Sequence, residues 1–421
     1  MRTHLINVNL LDGEHAARPN STVTLDGNTI ISVGHSRESV SPADLVVDLG
    51  GRSLMPGMVT GHFHPTFHNI GLERGLAGVE KPPAYMAYRA MVSAQTALRC
   101  GFTGVVGAGC SFDIDASLDA AIRDGLFPGP RVVPCSRDFQ TTADASVWAP
   151  WWLHTPAGEL AVRAADGTAD FRKQVREEIN RGARMIKVYV TGGHGVHVPK
   201  SVEIAARDEL ETVVETAHAR GARVRVHIST KPRILHAVAC GVDILDHADE
   251  MDDECIEAIA KAGTFVLPSL LYPLTMMRST QAAGTGADMF SQEDRDDFEH
   301  MCRMLPTAVA AGVRLCIGDD YGSPVMPHGW YGRELAVYTQ YAGIDPLEVI
   351  RWATHNGGQL LGERNLGTVA AGELADLLVV DGDPSKDISL LADPARILTV
   401  IKDGVVVSGA LPGGLSAAAA A

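Results

Sequence analysis

Cysteine pairs and long apolar segments are what this 421-residue sequence lacks. Its seven cysteines lie between Cys100 and Cys316 without a Cys-x-x-Cys pair, so the sequence predicts neither a disulfide framework nor a thiolate zinc site. No stretch is apolar over the length that a bilayer requires, and the N-terminus reaches Asn7 before an apolar signal segment can form. These absences predict a soluble, cytoplasmic protein.

Positive charge is also scarce. The chain has 36 lysine and arginine residues against 51 aspartate and glutamate residues, a formal net charge of −15, and no compensating basic run. An acidic surface repels phosphate backbones and acidic membrane surfaces. We therefore expect neither nucleic acid nor a membrane as a partner, and we expect a small-molecule substrate.

The two ends of the chain share a pattern typical of β-hairpins. Short alternating segments at 5–8, 23–25 and 30–33 are separated by Asp-Gly and Gly-Asn turns, and similar segments return at 377–380 and 400–407. A few strands from one end are marginally stable alone, so we predict one small β-sandwich domain built from both ends. Its predicted bounds are 1–54 and 365–410, with 411–421 a disordered tail.

Between these ends, short apolar strands alternate with amphipathic helices, which is typical of parallel βα units. The predicted strands are 54–61, 104–107, 131–135, 185–190, 224–228, 242–245, 264–267 and 314–318. Eight such units predict an α/β fold with a (β/α)8 barrel over residues 55–364. The active site of such a barrel lies at the carboxyl ends of its strands.

Two histidines follow the first predicted barrel strand. His62 and His64 are separated by one residue, and alternate residues of a strand point to the same side. The two imidazoles can therefore converge on one metal ion.

A lysine lies inside the fourth predicted strand. Burying the ammonium group of Lys187 in this apolar segment costs several kcal/mol unless its chemistry changes. A desolvated lysine can react with carbon dioxide to give a carbamate whose two oxygens can bridge two cations. The alternative is a structural ion pair.

The later strands add further polar residues at the same barrel rim. His227 ends the fifth predicted strand, and His247 follows the sixth. Asp319 and Asp320 follow the eighth, where a carboxylate can bind a cation and accept a proton from water. Adjacent residues of a strand face opposite ways, and spacing alone does not choose between the two aspartates.

Taken together, these residues resemble the amidohydrolase superfamily, in its imidazolonepropionase-like and prolidase-like (Xaa-Pro/Xaa-Arg dipeptidase-like) branch. The resemblance covers nearly the whole chain. The matching motifs are His62-x-His64, Ile186-Lys187-Val188 with Thr191-Gly192-Gly193, Asp246-His247, Pro327-His328-Gly329, Arg333-Glu334-Leu335, Ala353-Thr354-x-Asn356-Gly357 and the segment 367–377. The run 318–322 resembles the family's Gly-Thr-Asp-x-Gly motif, which selects Asp320 as the catalytic acid/base.

The resemblance implies a binuclear centre in a homo-oligomeric enzyme. His62 and His64 would bind one divalent cation, His227 and His247 the other, with N6-carboxylated Lys187 between them and Asp320 as a further ligand. Zinc suits histidine-rich ligation best. The implied reaction is hydrolysis of an amide- or peptide-type C–N bond in a dipeptide, an N-acyl amino acid or a xenobiotic amide.

Three alternatives remain open. The first is hydrolysis of a carbamate, a urea or a cyclic amide by the same fold. The second is deamination, although such enzymes resemble one another in a glutamate a few residues after the fifth-strand histidine, where this chain reads Ile228-Ser229-Thr230-Lys231, and they lack the lysine. The third is a non-catalytic scaffold relative, which predicts gaps in the ligand set.

Substrate recognition is less clearly encoded. Many relatives carry an Arg-Asp pair on the second strand, which here reads 104–109 without charge, so we expect a wider or less polar pocket on that side. The candidate substrate-binding residues are Arg137, Tyr189, His194, His197 and His328. For the two loop histidines, His194 and His197, the alternative is simple exposure to solvent.

Overall fold

The structure is a computed structural model that describes residues 2–35, 41–69, 81–145, 161–196, 198–283 and 292–412. Its strands are β1 Arg2–Leu10, β2 Arg18–Asp26, β3 Thr29–Gly34, β4 Leu45–Asp48, β5 Ser53–Pro56, β6 Met58–Phe63, β7 Phe102–Gly107, β8 Arg131–Val133, β9 Cys135–Gln140, β10 Val162–Ala164, β11 Met185–Tyr189, β12 Arg223–Ile228, β13 Ile244–His247, β14 Phe265–Leu267, β15 Arg314–Leu315, β16 Leu377–Val380, β17 Ile397–Lys402 and β18 Val405–Gly409.

The α-helices lie mainly between the central strands. They are α1 Pro83–Arg99, α2 Ile114–Arg123, α3 Thr142–Ala145, α4 Gly167–Asn180, α5 Arg207–His218, α6 Lys231–Cys240, α7 Asp253–Ala262, α8 Leu271–Ala283, α9 Gln292–Ala310, α10 Tyr331–Ala342, α11 Pro346–Ala353 and α12 His355–Leu361. Within the described part of the chain, no helix is both long and apolar enough to cross a membrane. Of the predicted tail, residues 413–421 lie outside the described residues.

The central parallel strands form the predicted (β/α)8 barrel, so the fold prediction is confirmed. One run of strands has the order β6-β7-β8 and another the order β9-β11-β12-β13-β14-β15, with β10 outside β9. Pro134 separates β8 from β9 and has no backbone N–H to donate to the ladder. The barrel closes where Gly61 N donates to Ile317 O at 2.7 Å.

Both faces of the barrel strands are covered, which explains their continuous apolar sequences. Every residue of β6, β7 and β11 is buried. The helices pack outside with one apolar stripe each, as α4 shows by burying Phe171 and Val175. Polar residues inside the strands, Lys187 above all, are therefore enclosed with no access to bulk water except through the barrel mouth.

A second sheet combines both chain ends, as the sequence predicts. Its order is β18-β17-β16-β5-β1-β2-β3, with β4 paired to β1. The link between the two ends is the antiparallel pair of β5 and β16, in which Met55 lies opposite Leu378. The proposed domain bounds of 1–54 and 365–410 stay a prediction.

The predicted first barrel strand, 54–61, needs correction. It is two strands: β5 belongs to the accessory sheet and β6 to the barrel, with Gly57 between them. A Cβ atom on Gly57 would collide with the Thr103 side chain, so only glycine allows this close approach. His62 therefore lies five residues beyond the junction of the two sheets.

Arg131 joins the barrel to the accessory sheet. Its guanidinium donates to both carboxylate oxygens of Asp376, at 3.1 and 3.2 Å, and to Asp403 at 2.5 Å. Burial opposes the charge of Arg131, but the two carboxylates outweigh it and raise its pKa. This ion pair fixes the accessory sheet against the barrel wall.

Candidate metal centre and active site

Three predicted ligands meet at the barrel rim. His62 Nε2 lies 3.1 Å from His64 Nε2 and 3.1 Å from Asp320 Oδ1, and His64 Nε2 lies 3.3 Å from the same oxygen. Such separations suit donors that share one cation at bond lengths of about 2.0–2.2 Å. The structure thus brings the end of the first barrel strand to the segment that follows the eighth.

The choice between the two adjacent aspartates follows from backbone hydrogen bonds. Asp319 Oδ2 accepts from Leu271 N at 2.8 Å and from Tyr272 N at 3.0 Å, and Asp319 Oδ1 accepts from Asp320 N at 2.7 Å. These bonds occupy the Asp319 carboxylate. Asp320 is left to face the histidines and the cavity.

Glu334 on α10 holds the turn that precedes these aspartates. It accepts hydrogen bonds from Gly318 N at 2.9 Å, Tyr338 Oη at 2.6 Å and Tyr321 Oη at 2.9 Å. A Cβ atom on Gly318 would collide with His62 N, and its φ of +150° also favours glycine. The turn can approach His62 closely because Glu334 holds it and because residue 318 is a glycine.

His227 and His247 face each other on the neighbouring strands, with ring centroids 4.6 Å apart. His227 Nε2 lies 3.1 Å from Gly193 O, and because a carbonyl only accepts, Nε2 carries the proton and Nδ1 is left for a ligand. His247 Nδ1 is buried without a hydrogen-bond partner among the described residues. Both histidines line the same cavity as Lys187 and Asp320.

Burial keeps these imidazoles neutral. It lowers the pKa of His62, lowers that of His227 to about 3, and holds that of His247 well below its usual value. Burial alone would raise the pKa of Asp320, but His62 and His64 lower it well below the usual range. Neutral imidazoles and an ionised carboxylate are the forms that bind a metal.

Lys187 forms the ion pair that the sequence leaves as an alternative. Its side chain is 1% exposed, and Nζ lies 2.6 Å from Asp246 Oδ2. Lys187 also lines the cavity, so a small molecule can reach it. The buried partner of Lys187 is therefore the carboxylate of Asp246.

Asp246 has a second cationic partner, Arg225, which the sequence analysis does not identify. Arg225 is fully buried and donates to both Asp246 oxygens, with Nε 3.0 Å from Oδ2. Its Nη1 donates to Gly61 O at 2.8 Å and to Gly107 O at 2.7 Å. In the sequence, Arg225 can be recognised as a charged residue inside the apolar run 224–226.

This pair lies directly beneath His62. Asp246 Oδ1 is 3.4 Å from His62 Nδ1, and Arg225 Nη2 is 3.2 Å from the same nitrogen. A proton on Nδ1, shared with Asp246, leaves Nε2 free for a cation. Arg225 also reaches Gly107 O on the uncharged second strand, below the cavity, and the expectation of a wider or less polar pocket on that side stays a prediction.

Asp138 on β9 is another buried group that the sequence analysis does not identify. Burial raises the pKa of Asp138 to about 6, and its Oδ1 has no hydrogen-bond partner within the described ranges. A Cβ atom on Gly109 would collide with this oxygen. The same glycine accepts from His64 Nδ1 at 3.0 Å, which leaves His64 Nε2 for a cation.

The cavity in front of the ligands has a volume of about 810 Å³ including its mouth. Polar residues form its base, and aromatic and aliphatic side chains form its walls. The lining residues are His64, Phe67, Gln140, Asp144, Lys187, Tyr189, His194, Gly195, Val196, Val198, Ile204, His227, His247, Tyr272 and Asp320. This combination is typical of a site for a small organic molecule.

His194 and Tyr189 are the predicted substrate residues that line this cavity among the described residues, and His194 has the more polar contacts. Its Nδ1 lies 2.9 Å from Asp249 Oδ1, and its ring stacks on His247 with centroids 3.7 Å apart. Burial opposes its charged form, but Asp249 outweighs burial and raises the pKa of His194 to about 9. Its Nε2 is buried and has no partner in the described part of the chain.

Two other predicted substrate residues point elsewhere. Arg137 pairs with the buried Glu178, whose Oε1 is 2.5 Å from Nη2, and it does not line the cavity. His328 uses both ring nitrogens, with Nδ1 2.7 Å from Tyr331 Oη and Nε2 3.0 Å from Phe67 O. The side chains of Arg137 and His328 are therefore held by contacts within the fold. His197 lies outside the described residues.

Comparisons with known proteins agree with this geometry. A model of the amidohydrolase family matches residues 53–407. Ochratoxinase from Aspergillus niger is 26% identical over 378 residues, which cover 85% of this chain and 76% of ochratoxinase. Imidazolonepropionase from Rhodococcus jostii is 24% identical over 379 residues, covering 86% and 82%. A prolidase structure complexed with N-methylphosphonate-L-proline is 28% identical, with a TM-score of 0.85 and coverage of 97% and 99%.

We predict that Arg225→Met destabilises the protein by about 3–5 kcal/mol, because it leaves the Asp246 carboxylate buried with one cationic partner instead of two. Urea unfolding measures the loss. The control is Arg396→Met, which breaks a half-exposed pair with Asp381 and should change stability by less than about 0.5 kcal/mol. Equal small losses in both variants would contradict a central role for Arg225.

Proposed function

The chain belongs to the amidohydrolase family, and we propose that it cleaves an amide- or peptide-type bond in a dipeptide, an N-acyl amino acid or a similar small amide. The chain is a metal-dependent hydrolase that acts on C–N bonds in small molecules. The observation that supports cleavage of an amide- or peptide-type bond is the convergence of His62, His64 and Asp320 in one cavity. His227, His247 and Lys187 line the same cavity.

The residues present fit two divalent cations, with zinc the best match for a histidine-rich donor set. His62, His64 and Asp320 would hold one, and His227 and His247 the other, with Lys187 between them. The unpartnered Nδ1 of His247 is the independent sign that an electron-pair acceptor belongs here. When bound, the cations supply Lewis acidity, which lowers the pKa of a water molecule and polarises a carbonyl group.

Asp320 would act as the general base and acid. It is ionised beside His62 and His64, and its side chain is 23% exposed, so it faces both the ligands and the cavity. It would accept the proton that water loses on attacking the carbonyl carbon, and then donate it to the leaving nitrogen as the C–N bond breaks. The products are a carboxylate and an amine.

Lys187 would act as a carbamate. Its deprotonated amine adds to carbon dioxide, forming an N–C bond and releasing one proton to water. The modified side chain would give up its bond to Asp246, which keeps its paired hydrogen bonds with Arg225. Arg225 thus offers Asp246 a countercharge when Lys187 becomes an anion.

His194 and Tyr189 would bind the substrate. His194 lines the cavity, Asp249 holds its Nδ1, and its Nε2 has no partner among the described residues, so the ring can donate to a carbonyl or carboxylate oxygen. The similar prolidase structure contains N-methylphosphonate-L-proline, a ligand with an amino acid carboxylate, which supports an N-acyl amino acid as the substrate class. His197 stays a prediction for the same role.

We also infer that the protein works in the cytoplasm as a homo-oligomer. All seven cysteines are free and five of them are buried, which suits a reducing compartment. The oligomer rests on the family resemblance, and light scattering in solution tests it.

Asp320→Asn should lower kcat at least about 10²-fold, because the amide cannot take up the proton. The matched control is Asp144→Asn in the same cavity, which should retain most of the activity. Assays with dipeptides, N-acyl amino acids, ureas, cyclic amides and amino-heterocycles at fixed metal content measure the effect. Turnover that survives Asp320→Asn would remove the proposed role, and a preference for ureas, cyclic amides or amino-heterocycles would redirect the substrate class.

Lys187→Ala should remove most activity and lower the metal content from about two ions per chain to about one. Elemental analysis and chelator sensitivity measure this, and added propionate should restore part of both by replacing the carbamate. The wild-type protein grown with ¹³C-bicarbonate should show a carbamate signal by NMR. A wild-type protein with two metals and no such signal would mean that Lys187 keeps its ion pair with Asp246.

His194→Gln should raise KM about tenfold to hundredfold with a smaller change in kcat, because one charge-assisted hydrogen bond to substrate is lost. Steady-state kinetics measure both parameters. His355→Gln, on the outer end of α12, serves as the control. An unchanged KM in His194→Gln would exclude the proposed contact.

A further inference from the structure

A second group of metal-binding side chains lies on the outer helix layer. His236 and Cys240 are four residues apart on α6, so they share one face of that helix, and Glu211 reaches them from α5. His236 Nε2 lies 3.3 Å from Glu211 Oε1 and 3.3 Å from Cys240 Sγ. One atom from each of the three residues therefore meets at a single point between two neighbouring helices.

The three donors are those that a zinc site uses. Zinc binds thiolate, imidazole and carboxylate groups, most often with four ligands in a tetrahedron. The candidate donor atoms all lie within 4.8 Å of one another. A thiolate and a carboxylate also bring two negative charges, which balance one divalent cation.

The exposure of these side chains suits a metal site in which one coordination position is open to water. The His236 side chain is 9% exposed and the Glu211 side chain is 62% exposed, so the group is closed on the helix side and open to water beside Glu211. The other nitrogen of His236, Nδ1, is buried and has no partner in the ranges that the structure describes. Nε2 is the nitrogen that lies beside Glu211 and Cys240 and would bind the cation, and water can complete the coordination.

The group is separate from the candidate active site. None of its residues lines the cavity, and the ligands proposed there contain no sulfur. The sequence predicts no thiolate zinc site because it lacks paired cysteines, and the mixed donor set becomes visible only when α5 packs beside α6.

We propose that Glu211, His236 and Cys240 form a peripheral binding site for a divalent cation that favours sulfur, such as zinc. On binding, the Cys240 thiol releases its proton to water and its sulfur bonds to the cation. The cation then links α5 to α6, the two helices that flank β12 along the chain. No change in oxidation state is involved.

Cobalt(II) is the probe for the test, because sulfur ligation gives a near-ultraviolet charge-transfer band that nitrogen and oxygen ligands do not give. The full-length protein is first freed of metal by chelation and then titrated with cobalt, and cobalt at the active site gives no such band because the ligands proposed there contain no sulfur. We expect this band to grow to the intensity of one sulfur-bound cobalt per chain and to disappear when zinc is added in excess. A wild-type titration without the band would overturn the proposal.

Three variants test whether the charge-transfer band arises from cobalt bound to Glu211, His236 and Cys240. Cys240→Ser should abolish it, and Glu211→Gln, which changes an exposed side chain, should weaken cobalt binding by at least about tenfold. Cys302→Ser, at a half-buried cysteine outside the group, should leave the band unchanged. All three variants should retain hydrolysis, so this proposal can fail while the proposed function stands. A band that survives Cys240→Ser would overturn the assignment.

Discussion

The ion pair between Arg225 and Asp246 is the interaction on which the centre of the barrel depends. Two buried charges are costly unless their hydrogen-bonding groups are satisfied. Here the guanidinium donates to Asp246 and to two backbone carbonyl oxygens, and Asp246 also accepts a hydrogen bond from Lys187. These contacts join five barrel strands, β6, β7, β11, β12 and β13, at the level immediately below the candidate ligands.

Neighbouring hydrogen-bond acceptors also orient the candidate histidine ligands at the barrel rim. His64 is oriented by Gly109 O and His227 by Gly193 O, while Asp246 lies beside His62. In each case an acceptor on one ring nitrogen decides which nitrogen faces the centre. The candidate ligands are thus oriented by neighbouring groups, and two of these three groups are backbone carbonyls, which a residue of any type can supply.

This explains what the sequence predicts and what it does not. The barrel, the two-ended sheet and the position of the candidate ligands at strand ends follow from local patterns, because alternation and apolar runs fix which residues reach the rim. The role proposed for Asp320 comes from the family motif, and the backbone amides that occupy the carboxylate of Asp319 are visible only in the fold. Arg137 and His328 are turned away by partners distant in sequence, Glu178 and Phe67, which no local pattern reveals.

Gly57 separates the accessory sheet from the barrel by a single residue, and His62 follows five positions later. The strand before it, β5, is paired with β16 from the far end of the chain. The segment that encodes the barrel is therefore not an independent module for gene fusion or domain exchange. Cutting the chain before β16 would unpair the strand that leads into His62, so both ends of this chain must accompany its barrel.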